Sequence, residues 1–127
     1  MTKGMRGVPA LSKKNNVQLH LEETLVYGNL GVNISKSVDY FVKNHLGYSI
    51  LTRILLKSLE LSNEFFRIEI LLKKENNKIC ILFFGEKDKQ IGVASFHKPD
   101  FMFKGLKLLF VSKTMYLLEE IPATQPQ

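Results

Sequence analysis

Apolar and polar residues alternate along much of this chain, and the alternation predicts its strands. From Phe66 to Leu72 the even positions Phe66, Ile68, Ile70 and Leu72 are apolar. Phe65, Arg67, Glu69, Leu71 and Lys73 take the other side. That period of two predicts a half-buried strand. Glu75-Asn76-Asn77 tolerates turn dihedrals. Next comes Lys78-Ile-Cys-Ile-Leu-Phe-Phe84, apolar on both faces, which predicts a central strand covered twice or a strand facing a partner. A charged turn, Gly85 to Lys89, leads to a third strand from Gln90 to Phe96, where Gly92 and Ala94 leave room on one side. Lys98-Pro99-Asp100 stops it, because proline lacks the amide a ladder needs.

Upstream, Val17, Leu19 and Leu21 alternate with Gln18, His20 and Glu22, again a strand pattern. Leu25 to Ile34 continues the β character. The first hairpin therefore turns either near Glu22-Glu23-Thr24 or at Gly28-Asn29, with Gly31 as a bulge.

The period then changes. Ser35 is placed to cap a helix, since its hydroxyl can accept a bond from a first-turn amide. Val38, Phe41, Val42 and His45 follow at helical spacing, and Gly47 is placed to end the helix in a left-handed conformation. A second helix is expected from about Ser49 to Leu61. Its stripe is Ile50, Leu51, Ile54, Leu55 and Leu59, widened by Leu56 and Leu61.

Periodicity does not decide Phe101 to Val111. The favoured reading is a loop, then a strand over Leu106 to Val111, a Ser112-Lys113 turn, and a last strand from Thr114 to Ile121. A single helix from Phe103 to Glu120 is the competing reading. Together these elements predict an α+β fold in one small domain. Its antiparallel sheet has about five to six strands, and two consecutive helices, inserted after the first hairpin, pack on one face. Residues 1–16 read as a flexible basic arm, 17–121 as the domain and 122–127 as a polar tail.

Length and composition agree with that reading. A chain of 127 residues, 45% hydrophobic and 24% charged, fits one domain. Cys80 is the only cysteine, so no internal disulfide can form, and its place between two isoleucines reads as a small buried hydrophobe. No apolar run reaches the length of a membrane span, and the basic start is not followed by the apolar stretch of a secretory signal. These features lead to the expectation of a soluble intracellular protein, cytoplasmic or in the nucleoid or nucleus, with no membrane partner.

Charge changes the picture more. The formal net charge is +6. Lys3, Arg6, Lys13 and Lys14 give the first sixteen residues +4 with no acids, leaving +2 for the remaining 111. Arg67, Lys73, Lys74, Lys78, Lys87, Lys89 and Lys98 crowd the three-strand stretch, with Glu69, Glu75, Glu86 and Asp88 among them. Single-stranded nucleic acid is held by a basic groove and by rings on which bases stack. Phe65 is the ring placed in the expected interface, with Tyr27, Phe84 and Phe96 as further platforms. The opposing reading places these rings in the core and the charges on a solvated face.

Catalytic patterns are weak. His20, His45 and His97 are far apart, and no metal-ligand spacing, nucleophile elbow, phosphate loop or dinucleotide fingerprint occurs. The pairs Glu22-Glu23 and Glu119-Glu120 point to opposite faces if they lie in strands. The expectation is a non-enzymatic protein with no catalytic, cofactor or metal site. It would bind single-stranded DNA or RNA through Lys3, Arg6, Lys13, Lys14, Arg67, Lys73, Lys74, Lys78 and Phe65. The alternative is a protein–protein interaction module or a homodimeric accessory or regulatory protein using apolar sheet surface, with Phe101-Met102-Phe103 as a candidate patch. A small enzyme or ligand binder around His97 or His20 is a third reading.

Overall fold

A computed structural model describes residues 23–122. The basic arm, the strand expected over Val17–Glu22 and most of the expected polar tail lie outside the described residues. Within them the chain runs β1 (Thr24–Tyr27), β2 (Val32–Ser35), α1 (Lys36–Phe41, continued by a π-helical turn, Val42–Leu46) and α2 (Tyr48–Leu61). It continues β3 (Arg67–Glu75), β4 (Lys78–Phe84), a 3-10 turn (Glu86–Asp88), β5 (Gln90–His97), β6 (Phe103–Val111) and β7 (Thr114–Pro122).

The strands form one seven-stranded sheet in the order β1-β2-β7-β6-β3-β4-β5. The expectation of about five to six antiparallel strands is corrected twice. The stretch from Leu25 to Ile34 folds into two short strands, because Gly28 and Gly31 take positive φ of 52° and 74° between them. The sheet is also mixed. β2 meets β7 in parallel through Asn33–Thr114 and Ile34–Met115, anchored by the Asn33 amide donating to the Lys113 carbonyl at 2.9 Å. No local pattern announces a pairing between segments so distant in sequence. The turn of the first hairpin is the Gly28-Asn29 alternative.

One face of the sheet carries the core. Ile68, Ile70 and Leu72 of β3 stand beside Phe110, Leu108 and Leu106 of β6, and beside Phe83 and Ile81 of β4. All are at most 2% exposed. Burying such a side chain contributes roughly 1.5–3 kcal/mol. α1 and α2 cover this face. Val38, Phe41, Val42, Leu46, Leu51, Ile54 and Leu55 point into it. Leu56, expected to widen the α2 stripe, is instead 49% exposed.

Helix boundaries follow local chemistry. The Ser35 hydroxyl accepts from the Val38 amide at 3.2 Å, capping α1 as the sequence suggests. Gly47 differs from expectation. Its φ is positive, 96°, but its ψ is 146°, so it is extended and not left-handed helical. The helix widens before it, and the Gly47 amide closes onto the Val42 carbonyl at 2.7 Å, a five-residue turn. Only glycine occupies this backbone region without strain.

The C-terminal segment is two strands. Ser112 and Lys113 both take positive φ, 53° and 58°, forming the tight two-residue hairpin turn. This excludes the single-helix reading of Phe103–Glu120. The doubly apolar strand, β4, is next to the edge and not central. Its second face, Cys80, Leu82 and Phe84, is half-buried.

Two backbone tests follow. Replacing Ser35→Ala removes the cap and is expected to lower unfolding stability by about 1 kcal/mol. Gly47→Ala forces a β-carbon onto the positive-φ extended turn and is expected to lower it further, by roughly 1–3 kcal/mol. Urea denaturation of the two variants beside the parent checks both values and their order.

Candidate nucleic-acid interface

The face that none of the described helices covers is built from the alternate positions of the same strands. One row across it reads Tyr116, Leu109, Glu69 and Phe84 on β7, β6, β3 and β4. The next reads Glu119, Lys107, Leu71, Leu82 and Val93, reaching β5. Leu109, in the middle strand, is fully buried even here. Around these apolar positions the charges are matched. Arg67 reaches Glu69 at 3.2 Å, and Lys107 lies 3.7 Å from Glu119. Glu69, Leu71, Phe84 and Lys107, with Ile70 and Asp88, line a concavity of about 270 Å³. In the middle of this face the described charges are thus paired with one another.

The balance shifts at one end of the sheet. β3 ends there and β4 begins there, joined by a turn in which Glu75 pairs with Lys78. β5 ends there, with His97 opposite Lys78. β6 starts there, with Gly105 opposite Lys73, so Lys104, one residue before Gly105, comes to the same end of the sheet. Lys73, Lys74, Lys78, Lys98 and Lys104 thus gather at one end of four adjacent strands, with Glu75 and Asp100 among them.

These lysines are not equivalent. Lys74 falls on the helix-covered side, at the end of the row of Ile68, Ile70 and Leu72. Its ammonium donates to the Pro99 carbonyl at 3.2 Å and to the Phe101 carbonyl, tying the β5–β6 loop to β3. Lys98 lies 3.1 Å from Asp100. That hydrogen bond, and then the attraction of the ammonium, hold the Asp100 carboxyl below its ordinary value of 3.8. Lys73, Lys78 and Lys104 are exposed, and their ammonium groups have no hydrogen-bond or ion-pair partner among the described residues.

The expected site therefore separates. Lys73 and Lys78 come together at this end. Lys74 joins them in position but is engaged by carbonyls. Arg67 is at the opposite end of β3, half-buried and bound to Glu69. Phe65 packs against the core, so closely that a β-carbon on Gly85 would lie 3.0 Å from its ring. It is not an open stacking platform. Tyr27 stacks on Tyr48 at 6.2 Å and shares a hydrogen bond with Thr52 at 2.7 Å. Phe96 lies under the Arg53 guanidinium at 5.6 Å. Lys3, Arg6, Lys13 and Lys14 lie outside the described residues. Lys104 is the member that sequence reasoning missed. It interrupts an apolar run whose structure periodicity does not decide, and only the β3–β6 register brings it to the end of the sheet that holds Lys73 and Lys78.

The remaining candidates resolve simply. Cys80 is half-buried on the helix-free face, between Lys73 and Ser95 on the flanking strands, and not in the core as expected. His45 is held between the rings of Phe41 and Phe103, at 5.2 and 4.9 Å. His97 is exposed at the end of β5, and His20 lies outside the described residues. Phe101 and Phe103 are core partners of Phe41, leaving Met102 as the exposed member of that trio. Among the described residues no three His, Cys, Asp or Glu side chains gather as metal ligands would, and no helix is long and apolar enough to cross a membrane.

None of the protein-family models, curated proteins or solved structures compared with the chain matches it.

The Lys98–Asp100 contact has a titration signature. Because the folded Asp100 value is lowered, the contact contributes stability above the ordinary aspartate range and loses it as pH falls through the folded value. In an NMR titration Asp100 is expected to titrate below 3.8. Lys98→Ala is expected to move it upward, toward that value.

Proposed function

We propose that the protein binds nucleic acid without enzymatic activity, gripping phosphates at the end of the sheet where Lys73, Lys78 and Lys104 converge. The observation that carries this reading is that these three ammonium groups are exposed and unengaged by any described acid. They sit on three neighbouring strands, β6, β3 and β4. Strands lie about 4.8 Å apart, so the three strands that carry them span about 10 Å across the sheet. A nucleic-acid strand places a charge every ~3.4 Å of helix rise, so about three phosphates fall within that span. The basic residues of the N-terminal arm would add to the same field.

Recognition of this kind is electrostatic. Phe65, the ring expected to stack bases, faces the core, so binding is expected to depend little on base sequence. Its strength is expected in the range of non-specific complexes, dissociation constants of roughly 10⁻⁴ to 10⁻⁶ M at physiological salt.

Fluorescence anisotropy with single- and double-stranded probes, across a salt series, tests the reading. Each of Lys73→Ala, Lys78→Ala and Lys104→Ala is expected to reduce the log–log salt slope by about 0.7 on single strands and about 0.9 on duplex. Arg67→Ala, whose guanidinium is already bound to Glu69, is expected to leave the slope unchanged. Absence of binding to either probe at low salt would sink the proposal. An undiminished slope in the triple lysine variant would remove this end of the sheet from it.

A further inference from the structure

We propose that two copies of this chain join edge to edge through β5, in antiparallel register with Ala94 on the two-fold axis. Among the described strands β5 is the outermost, beyond β4. Its inner side is satisfied from Lys78↔His97 to Phe83↔Gly92, and among the described residues no strand pairs with its outer side. Such a strand presents a row of unpaired amides and carbonyls, which folded proteins usually block with lysine, proline, a bulge or brevity. Among the described strands the opposite edge follows that practice, since β1 is four residues long. β5 does not: Gln-Ile-Gly-Val-Ala-Ser-Phe-His is eight residues with no charge and no proline. Its one irregularity lies at Ile91, skipped between Phe83↔Gly92 and Phe84↔Gln90. The five residues Gly92–Phe96 run straight. Val93, among them, is 57% exposed.

The register follows from the faces. An antiparallel partner keeps both helix layers on one side only when opposed residues have the same parity, since a one-residue slip turns every side chain over. With Ala94 opposite its own copy, Gly92 faces Phe96 and Val93 faces Ser95. These five pairs avoid both the Ile91 bulge and Lys98-Pro99. Shifting the axis to Val93 draws Ile91 into the pairing, and shifting it to Ser95 sets Gly92 against Lys98. In the chosen register an aromatic ring lies across from an edge glycine, a favourable cross-strand combination. No like charges are opposed within the strands. The contact is isologous and closes as a dimer. The lysines of the phosphate-gripping end lie away from the axis in each copy, so dimerisation and nucleic-acid binding are separable.

Light scattering on the full chain, from low to high micromolar concentration, is expected to show the mass rising from 14.6 kDa toward twice that value. The double variant V93K/S95K opposes like charges across the axis at two exposed positions. It is expected to remain at 14.6 kDa with the circular dichroism of the parent. In a Cys80→Ser background, Ala94→Cys is expected to give an oxidised dimer in high yield, because opposed α-carbons in an antiparallel pair lie about 4.5–5.5 Å apart, within disulfide range. Val26→Cys, on the far edge, is expected to cross-link poorly in the same background. A monomer mass at every concentration, a dimer that persists in V93K/S95K, or equal cross-linking at both cysteine positions would overturn the proposal.

Discussion

One-sided burial of a mixed sheet is the constraint on which the other features depend. β6 and β3 lie at its middle and present Leu106, Leu108, Phe110, Ile68, Ile70 and Leu72 to the same side, where α1 and α2 close over them. Once that face is committed, the period of two leaves no freedom for the rest of each strand. Lys74, one step on from Lys73, is turned toward the helix side. There a free ammonium would be costly, and it finds the Pro99 and Phe101 carbonyls. Lys73 is turned the other way and stays in water. Two adjacent lysines thus acquire different tasks from parity alone.

The same constraint explains why the helix-free face is quiet electrically. Leu109, Leu71, Leu82 and Phe84 stand there between charges that have partners within reach, Arg67 with Glu69 and Lys107 with Glu119. Apolar side chains flanked by matched charges make a surface that is neither a second core nor rich in unpaired charge. Net positive charge collects where strands begin and end. There the turn at Asn76-Asn77 and the loop through Pro99 bring side chains together that no single strand carries.

Local elements were legible where a local rule had no competitor. Ser35 before a run at helical spacing gives a capped helix, and Glu75-Asn76-Asn77 between two apolar strands gives a turn. Where two rules competed, the local reading failed. Gly47 was expected to end its helix in the left-handed conformation, but a wider final turn closing on Val42 put it in an extended one. The apolar second face of β4 suggested a central strand, yet the centre of the sheet went to β6, whose Lys104, Gly105 and Lys107 interrupt its pattern. Phe65 illustrates the limit for rings. Its position beside Arg67 suggested a binding platform, and packing on Gly85 and the core took it.

By itself the sequence determined most of the strands and both helices, because a period of two or of 3.6 is a property of neighbours along the chain; the choice of two strands over one helix from Phe103 to Glu120 waited on the fold. It also determined that the chain is basic and that its lysines crowd the strands from Arg67 to Lys98. Tertiary structure alone decided the order of those strands, the parallel contact of β2 with β7, and which strand became the exposed edge. These depend on pairings between residues far apart in sequence, for which no local period exists. For the same reason only the folded sheet could separate the candidate lysines. Register brought Lys104 to the same end of the sheet as Lys73, sent Lys74 to the loop carbonyls, and left Arg67 at the far end bound to Glu69.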